Sequence, residues 1–172
     1  MYCGSGIDEI IGGLGADSMD GGLGRDLLSC DGANGKVIIN LATGAASGKG
    51  ALGDVIVNFE RVTGSRFADI LTGDDLDNGL YGGDGNDRLK GGAGNDGLNG
   101  NSGDDTVNGD AGDDAISGGR AVICCVAATA TTVFNSAAAT IICAARRVRM
   151  HSSGCRSAPK SQRSATLPRA RI

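Results

Sequence analysis

Acidic side chains recur in this chain at a fixed interval of nine residues. From Gly64 onward the sequence divides into the nonamers GSRFADILT, GDDLDNGLY, GGDGNDRLK, GGAGNDGLN, GNSGDDTVN and GDAGDDAIS. Each opens with Gly. The sixth position holds Asp69, Asn78, Asp87, Asp96, Asp105 and Asp114, and the eighth holds Leu71, Leu80, Leu89, Leu98, Val107 and Ile116. Carboxylates are hard oxygen donors, and calcium takes about six to eight oxygens from carboxylates and backbone carbonyls together. Glycine at positions 1, 2 and 4 lets the backbone enter φ > 0 and turn its carbonyls toward one point. Hard-cation binding is the chemistry that these residue types offer at this spacing.

The elements that position the acids follow from the same count. Positions 7 to 9 form a very short strand, whose alternation sends only the middle, aliphatic residue inward. One nonamer is then a half-turn, a glycine-rich bend followed by a strand, and two nonamers make a coil. Residues eighteen apart stack, which gives the rails Asp69–Asp87–Asp105 and Asn78–Asp96–Asp114. The best-formed pairs are 82–90 with 100–108 and 91–99 with 109–117, on opposite sides. Phe67 and Leu76 stand where the fourth-position glycine belongs, and Asn78 lacks the charge, so pairs that include them are weaker. The competing reading is a set of metal-free Asx turns, in which each Asp bonds only its own backbone. Repetition in one phase favours the cation.

A shorter run opens the chain: CGSGIDEII, GGLGADSMD and GGLGRDLLS, with Asp8, Asp17 and Asp26 at position 6 and Ile10, Met19 and Leu28 at position 8. Asp8 and Asp26 are eighteen apart and suit one shared ion. A fourth unit from Cys30 fails, with Gly35 where an acid belongs.

These nonamers resemble the G-G-x-G-x-D-x-U-x repeat of RTX (hemolysin-type calcium-binding) proteins. The resemblance implies an all-β fold, a right-handed parallel β-roll, with Ca2+ held between stacked bends. It implies carbonyl ligands from Gly83, Gly85, Gly92 and Gly94. It also implies a secreted, extracellular bacterial protein exported by type I secretion machinery. Asn40–Gly44 (NLATG) and Asn58–Ser65 (N-x-E-x-V-x-G-S) match an insert that the family often carries.

Residues 30–63 are not repeat. Val37–Leu41 and Val55–Phe59 read as strands joined by a Gly/Ala/Ser-rich connection, a continuation or kink of the same solenoid. Gly48-Lys49-Gly50-Ala51-Leu52-Gly53 fits the G-x-G-x-x-G dinucleotide fingerprint. The strand-like VIVNF that follows leaves no helix N-terminus for a pyrophosphate.

Charge is split along the chain. Residues 1–120 carry all twenty acids and eight Lys/Arg, and the last 52 residues carry eight Lys/Arg and no acid. Between Asp69 and Asp114 twelve carboxylates face two basic residues, Arg88 and Lys90. Without a cation these acids repel one another and the glycines are costly to order. With calcium, binding free energy becomes folding free energy.

The tail, 121–172, breaks the pattern. An uncharged stretch, Ala121 to Ala145, precedes an Arg-rich end. Its length suits a membrane span, but Ala, Thr, Asn135 and Ser136 make it weakly apolar. A type I secretion signal fits less well, given four cysteines and the arginines. The abrupt change of composition is also what a shifted reading frame would produce, leaving the tail disordered or a poorly specified helix. Cys124, Cys125, Cys143, Cys155 and His151 match no zinc spacing. The basic residues show no specific nucleic-acid motif. Cys3 and Cys30 are open to pairing outside the cell. No signal peptide opens the chain, which suits a C-terminal export signal and suits an internal fragment equally.

Catalytic motifs are lacking: one histidine, no H-E-x-x-H and no G-x-S-x-G. The expected organisation is a first repeat run (1–29), a strand-rich insert (30–63), a second array (64–120) and the tail. The expected function is non-enzymatic calcium binding that folds a secreted bacterial module. The alternatives are an accessory repeat domain of a larger secreted enzyme, or a surface protein anchored through 121–145. Oligomeric state is not legible.

Overall fold

Every position-8 aliphatic residue sits within a short strand and is buried, because one inward side chain per nonamer is all the core this chain can build. The structure is a computed structural model describing residues 1–118 and four strand segments beyond them: 123–127, 132–135, 141–143 and 148–150. The first run forms β1 (Ser5–Gly6), β2 (Glu9–Ile10), β3 (Ser18–Asp20), β4 (Leu23–Gly24) and β5 (Leu27–Ser29). The insert forms β6 (Val37–Asn40), β7 (Ala45–Gly48), β8 (Val55–Val57) and β9 (Arg61–Thr63). The second array forms β10 (Ile70–Thr72), β11 (Gly79–Asp84), β12 (Arg88–Ala93), β13 (Gly97–Ser102), β14 (Thr106–Ala111) and β15 (Ala115–Ser117). The last described strands are β16 (Ile123–Ala127), β17 (Thr132–Asn135), β18 (Ile141–Cys143) and β19 (Val148–Met150). There is no helix among the described residues.

Successive array strands alternate between two parallel sheets, so the chain coils. One sheet runs β18-β16-β14-β12-β10-β6-β7-β8-β3 and the other β19-β17-β15-β13-β11-β9-β5-β2. Leu71 lies beside Leu89 and Leu89 beside Val107; on the facing sheet Leu80 lies beside Leu98 and Leu98 beside Ile116. The eighteen-residue register is thus realised, and the fold is an all-β solenoid of the β-roll kind. All six of these side chains are at most 1% exposed. Ile10, Met19, Leu28, Ile39, Ile56 and Val62 extend the same core through the first run and the insert.

The insert differs from a simple continuation. Its Gly/Ala/Ser connection contains β7, which pairs antiparallel with β6 and with β8. The strand lies in plane because Ala46 is small enough to be buried where array strands carry Leu. β6 pairs parallel with β10, and β8 with β3, so the excursion is built into one sheet. On the other sheet β9 alone bridges the two runs, pairing with β5 and β11.

Beyond residue 118 the described strands prolong both ladders. β16 adds to β14 and β18 to β16, while β17 adds to β15 and β19 to β17. Residue 125 pairs with 107, 134 with 116 and 141 with 123, a spacing of eighteen, whereas 150 pairs with 134, a spacing of sixteen. A shifted reading frame would leave the tail disordered or a poorly specified helix; where the tail is described it is strand. No helix among the described residues is long and apolar enough to cross a membrane. The basic end with His151 and Cys155 lies outside the described residues.

Candidate metal centre

Position 6 immediately precedes the strand, where the backbone N–H has left the bend and has no sheet partner. The acid one coil further on supplies one. The Asp69 N–H donates to Asp87 Oδ1 (2.8 Å), Asn78 to Asp96 Oδ1 (2.9 Å), Asp87 to Asp105 Oδ1 (2.9 Å) and Asp96 to Asp114 Oδ1 (3.0 Å). Each predicted rail is therefore a chain of backbone-to-carboxylate bonds, and Asp87, Asp96, Asp105 and Asp114 are each only 2% exposed.

The second carboxylate oxygen is the telling one. Oδ2 of Asp87, Asp96, Asp105 and Asp114 is buried and has no hydrogen-bond partner. A buried, unpartnered carboxylate oxygen is costly unless a proton or a cation sits against it. Burial accordingly pushes the Asp87 carboxyl up to about 7, and neighbouring carboxylates add to this, against the pull of the backbone donor at Asp69. Asp96 is pushed to about 6 by the same cause, and Asp105 and Asp114 are also raised by burial.

Carbonyl oxygens share this space. A methyl group on Gly82 would collide with Asp87 Oδ2 and sit 2.8 Å from the Gly100 carbonyl oxygen. On Gly91 it would collide with Asp96 Oδ2 and sit 2.7 Å from the Gly109 carbonyl oxygen. Position 1 is glycine because the oxygens of two stacked bends crowd over its Cα. Gly85 packs on the Phe67 carbonyl and Gly94 on that of Leu76, so each bend turns carbonyls toward the next. Positions 2 and 4 need φ > 0, met by Gly83 and Gly85 and by Gly92 and Gly94. In the last two bends Asn101 (φ 65°) and Asp110 (φ 62°) take position 2 without glycine, as Asn and Asp tolerate.

The first two bends of the array are closed differently. Ser65 donates its N–H to Asp69 Oδ2 and its hydroxyl to both carboxylate oxygens, so Oδ2 is satisfied within its own bend, while Oδ1 also accepts the Val37 N–H (2.8 Å) from the insert. Asn78 Oδ1 accepts the Asp74 N–H (2.7 Å), and its amide donates to Asp74 Oδ1 (3.1 Å). The structure thus brings Asp87 with Asp105 and Asp96 with Asp114 into equivalent, oxygen-rich gaps, and leaves Asp69 and Asn78 capped.

Among the described residues no three carboxylate, thiol or imidazole side chains converge on one point. A cation here would take roughly half its oxygens from the backbone, a donor set that suits calcium and not zinc. The family model of the RTX calcium-binding nonapeptide repeat matches this chain in four copies, over residues 4–28, 63–98 and 94–121. The chain belongs to the RTX calcium-binding repeat family. RTX repeats bind calcium, and the unpartnered oxygens fit that ion. No curated protein matches the chain significantly.

The first RTX run repeats the arrangement. Asp8 N–H donates to Asp26 Oδ1 (2.8 Å), and Oδ2 of Asp8, Asp17 and Asp26 is buried without a partner. The bend holding Asp8 stacks on that holding Asp26 through β1 and β4. Asp17 does not meet a repeat acid. Its N–H donates instead to Asp54 Oδ1 (2.8 Å), and Asp26 N–H donates to Glu60 Oε2 (2.8 Å). Asp54 and Glu60 are thus position-6 residues hidden in the insert, which the nonamer count passed over. Asp54-Val55-Ile56-Val57 and Glu60-Arg61-Val62-Thr63 follow the acid-x-aliphatic-x pattern of Asp87-Arg88-Leu89-Lys90, and that shorter pattern would have found them. Cys3 and Cys30 are both free thiols. Burial, with Asp69 and Asp54 adding, pushes the Cys30 thiol up to about 12, which keeps it protonated.

Proposed function

We propose that calcium, bound between stacked bends, drives the folding of this chain as part of a secreted bacterial protein. The observation that carries the reading is the row of buried, unpartnered Oδ2 atoms on Asp8, Asp17, Asp26, Asp87, Asp96, Asp105 and Asp114. Asp87 with Asp105 and Asp96 with Asp114 hold the two principal ions, with carbonyls of the glycine-rich bends completing each set. Bound calcium neutralises the carboxylates and supplies the folding free energy that one aliphatic side chain per nonamer does not.

The same residues explain a link to export. With calcium scarce, the acids repel and the chain stays extended, a form suited to a type I secretion channel. Extracellular calcium modules work at about 10⁻⁴–10⁻³ M, so folding would follow release. No catalytic role is assigned to any residue.

Far-UV circular dichroism of the full chain during a calcium titration, with magnesium as control, tests this. The expected result is a coil-to-β transition that saturates with calcium and reverses with chelator. A spectrum unchanged up to about 10 mM calcium, well above the range of extracellular modules, would overturn it.

A further inference from the structure

The insert brings less side chain into the core than the array does. Array strands turn Leu, Val or Ile inward, whereas the connection through β7 buries only Ala46 and Ala51. Between these methyl groups and the buried Met19, Leu28 and Ile39 lies a cavity of about 300 Å³. Leu14 lines it too and is 83% exposed, so the cavity reaches the surface there. An apolar cavity of about 150 Å³ holds benzene, so this one has room for up to about twelve non-hydrogen atoms.

Asp54 is the one charged residue among the described residues that line it. It is 5% exposed; its Oδ1 holds the Asp17 N–H at 2.8 Å, and its Oδ2 accepts no hydrogen bond among the described residues. Although Asp54 stands at position 6 before β8, its surroundings are unlike those of an array acid. A methyl group on Gly82 would meet Asp87 Oδ2 and a carbonyl oxygen. One on Gly12 would lie 3.1 Å from Met19 Sδ and 3.4 Å from Asp54 Oδ2, with no carbonyl oxygen among its nearest atoms. A thioether is a poor partner for a hard cation. The free oxygen suits instead a hydrogen-bond donor that carries one positive charge on an apolar body.

We propose that this cavity binds a small primary amine, its ammonium group on Asp54 Oδ2 and its hydrocarbon body against Met19, Leu28 and Ile39. Burial of the hydrocarbon supplies affinity, and the single carboxylate supplies selection, since an anionic head of the same length would be repelled. The site uses none of the paired array acids, so it gives the insert a binding role separate from that of the calcium-binding bends.

Methyl-labelled methionine reads the cavity directly, because the chain has three methionines and only Met19 lines it. With the full chain in saturating calcium, octylamine is expected to shift the Met19 methyl resonance saturably, octanol to do so more weakly, and octanoate not at all. Asp54→Asn keeps an acceptor for the Asp17 N–H and removes the charge. It is expected to weaken octylamine binding about tenfold or more, as loss of a charge-assisted hydrogen bond does, and to leave octanol unaffected. Ala51→Leu, which fills the space, is expected to abolish both. A Met19 signal unmoved up to about 10 mM octylamine overturns the proposal. So does octanoate binding as well as octylamine, or octylamine binding undiminished in either variant. Should a variant fail to fold, crystals of the unaltered chain soaked in 8-bromooctylamine decide. Anomalous bromine density within the cavity supports the site, and its absence there overturns it.

Discussion

Asp105 accepts the backbone N–H of Asp87 through Oδ1 at 2.9 Å, while Asp87 keeps its own Oδ2 buried and unpartnered. Asp87, Asp96, Asp105 and Asp114 thus each have two separable duties, one oxygen holding the coil below and the other offered to a cation. Substitution can divide them. Asp105→Asn retains an acceptor for the N–H and loses the charge. It is expected to raise the calcium concentration at the folding midpoint by about tenfold or more, as loss of support for a metal ligand does. Asp69→Asn, whose Oδ2 is already satisfied by Ser65, is expected to shift that midpoint little. Equal shifts in the two titrations would contradict the division.

Glycine replacements separate the cradle from the strand. Gly82→Ala places a methyl group against Asp87 Oδ2, whereas at Gly97 the nearest atom to a new methyl is 3.9 Å away. Calcium-dependent folding of Gly82→Ala is expected to weaken by about tenfold or more, and that of Gly97→Ala to stay near that of the unaltered chain. Isothermal titration calorimetry on both variants reads the difference.

Leu89 is 1% exposed and stacks between Leu71 and Val107. Leu89→Ala is expected to cost about 2–5 kcal/mol in urea unfolding at saturating calcium. The number of ions bound should stay unchanged, because the aliphatic row and the bends are separate parts of the coil. A lower ion count would show the two to be coupled.

The raised carboxyls set a pH dependence with opposite signs in the two states. Asp87 and Asp96 rise from 3.8 to about 7 and about 6, so the metal-free roll binds protons more tightly than the unfolded chain. That contribution is fully present below pH 3.8 and is lost as pH climbs through about 6 to 7. In chelator, β structure is expected to grow as the solution is acidified. Calcium must displace those same protons, so its midpoint is expected to rise as pH falls below about 7. Circular dichroism across that range, with and without chelator, checks both; a midpoint independent of pH would refute the second.

The phase of the nonamers made the array legible, since Gly, acid and aliphatic side chain at fixed offsets specify bend, ligand and core together. Asp87, Asp96, Asp105 and Asp114 are placed as the count requires. Legibility failed where local hydrogen bonding replaced the pattern. Phe67 and Leu76 marked the first two bends as irregular, but not that Ser65 and Asp74 would cap Asp69 and Asn78. It failed again in the insert, where Asp54 and Glu60 keep their place relative to the next strand and lose it relative to the previous acid. β7 was hidden because Ala45-Ala46-Ser47-Gly48 carries no large side chain, and it is recruited by pairing on both sides.

The insert also makes the two walls of the roll unequal. Three strands, β8, β7 and β6, separate β3 from β10 on one sheet, whereas β9 alone separates β5 from β11 on the other. A regular coil would place one strand in each gap, so one wall gains about 10 Å of height at the usual strand spacing. The taller wall is also the less firmly stitched, for β7 and β8 share a single register pair, Ala45 with Val55, while β5 and β9 share three. Under tension along its axis the roll has a seam on one face and a continuous spine on the other, so extension would begin as bending about that spine.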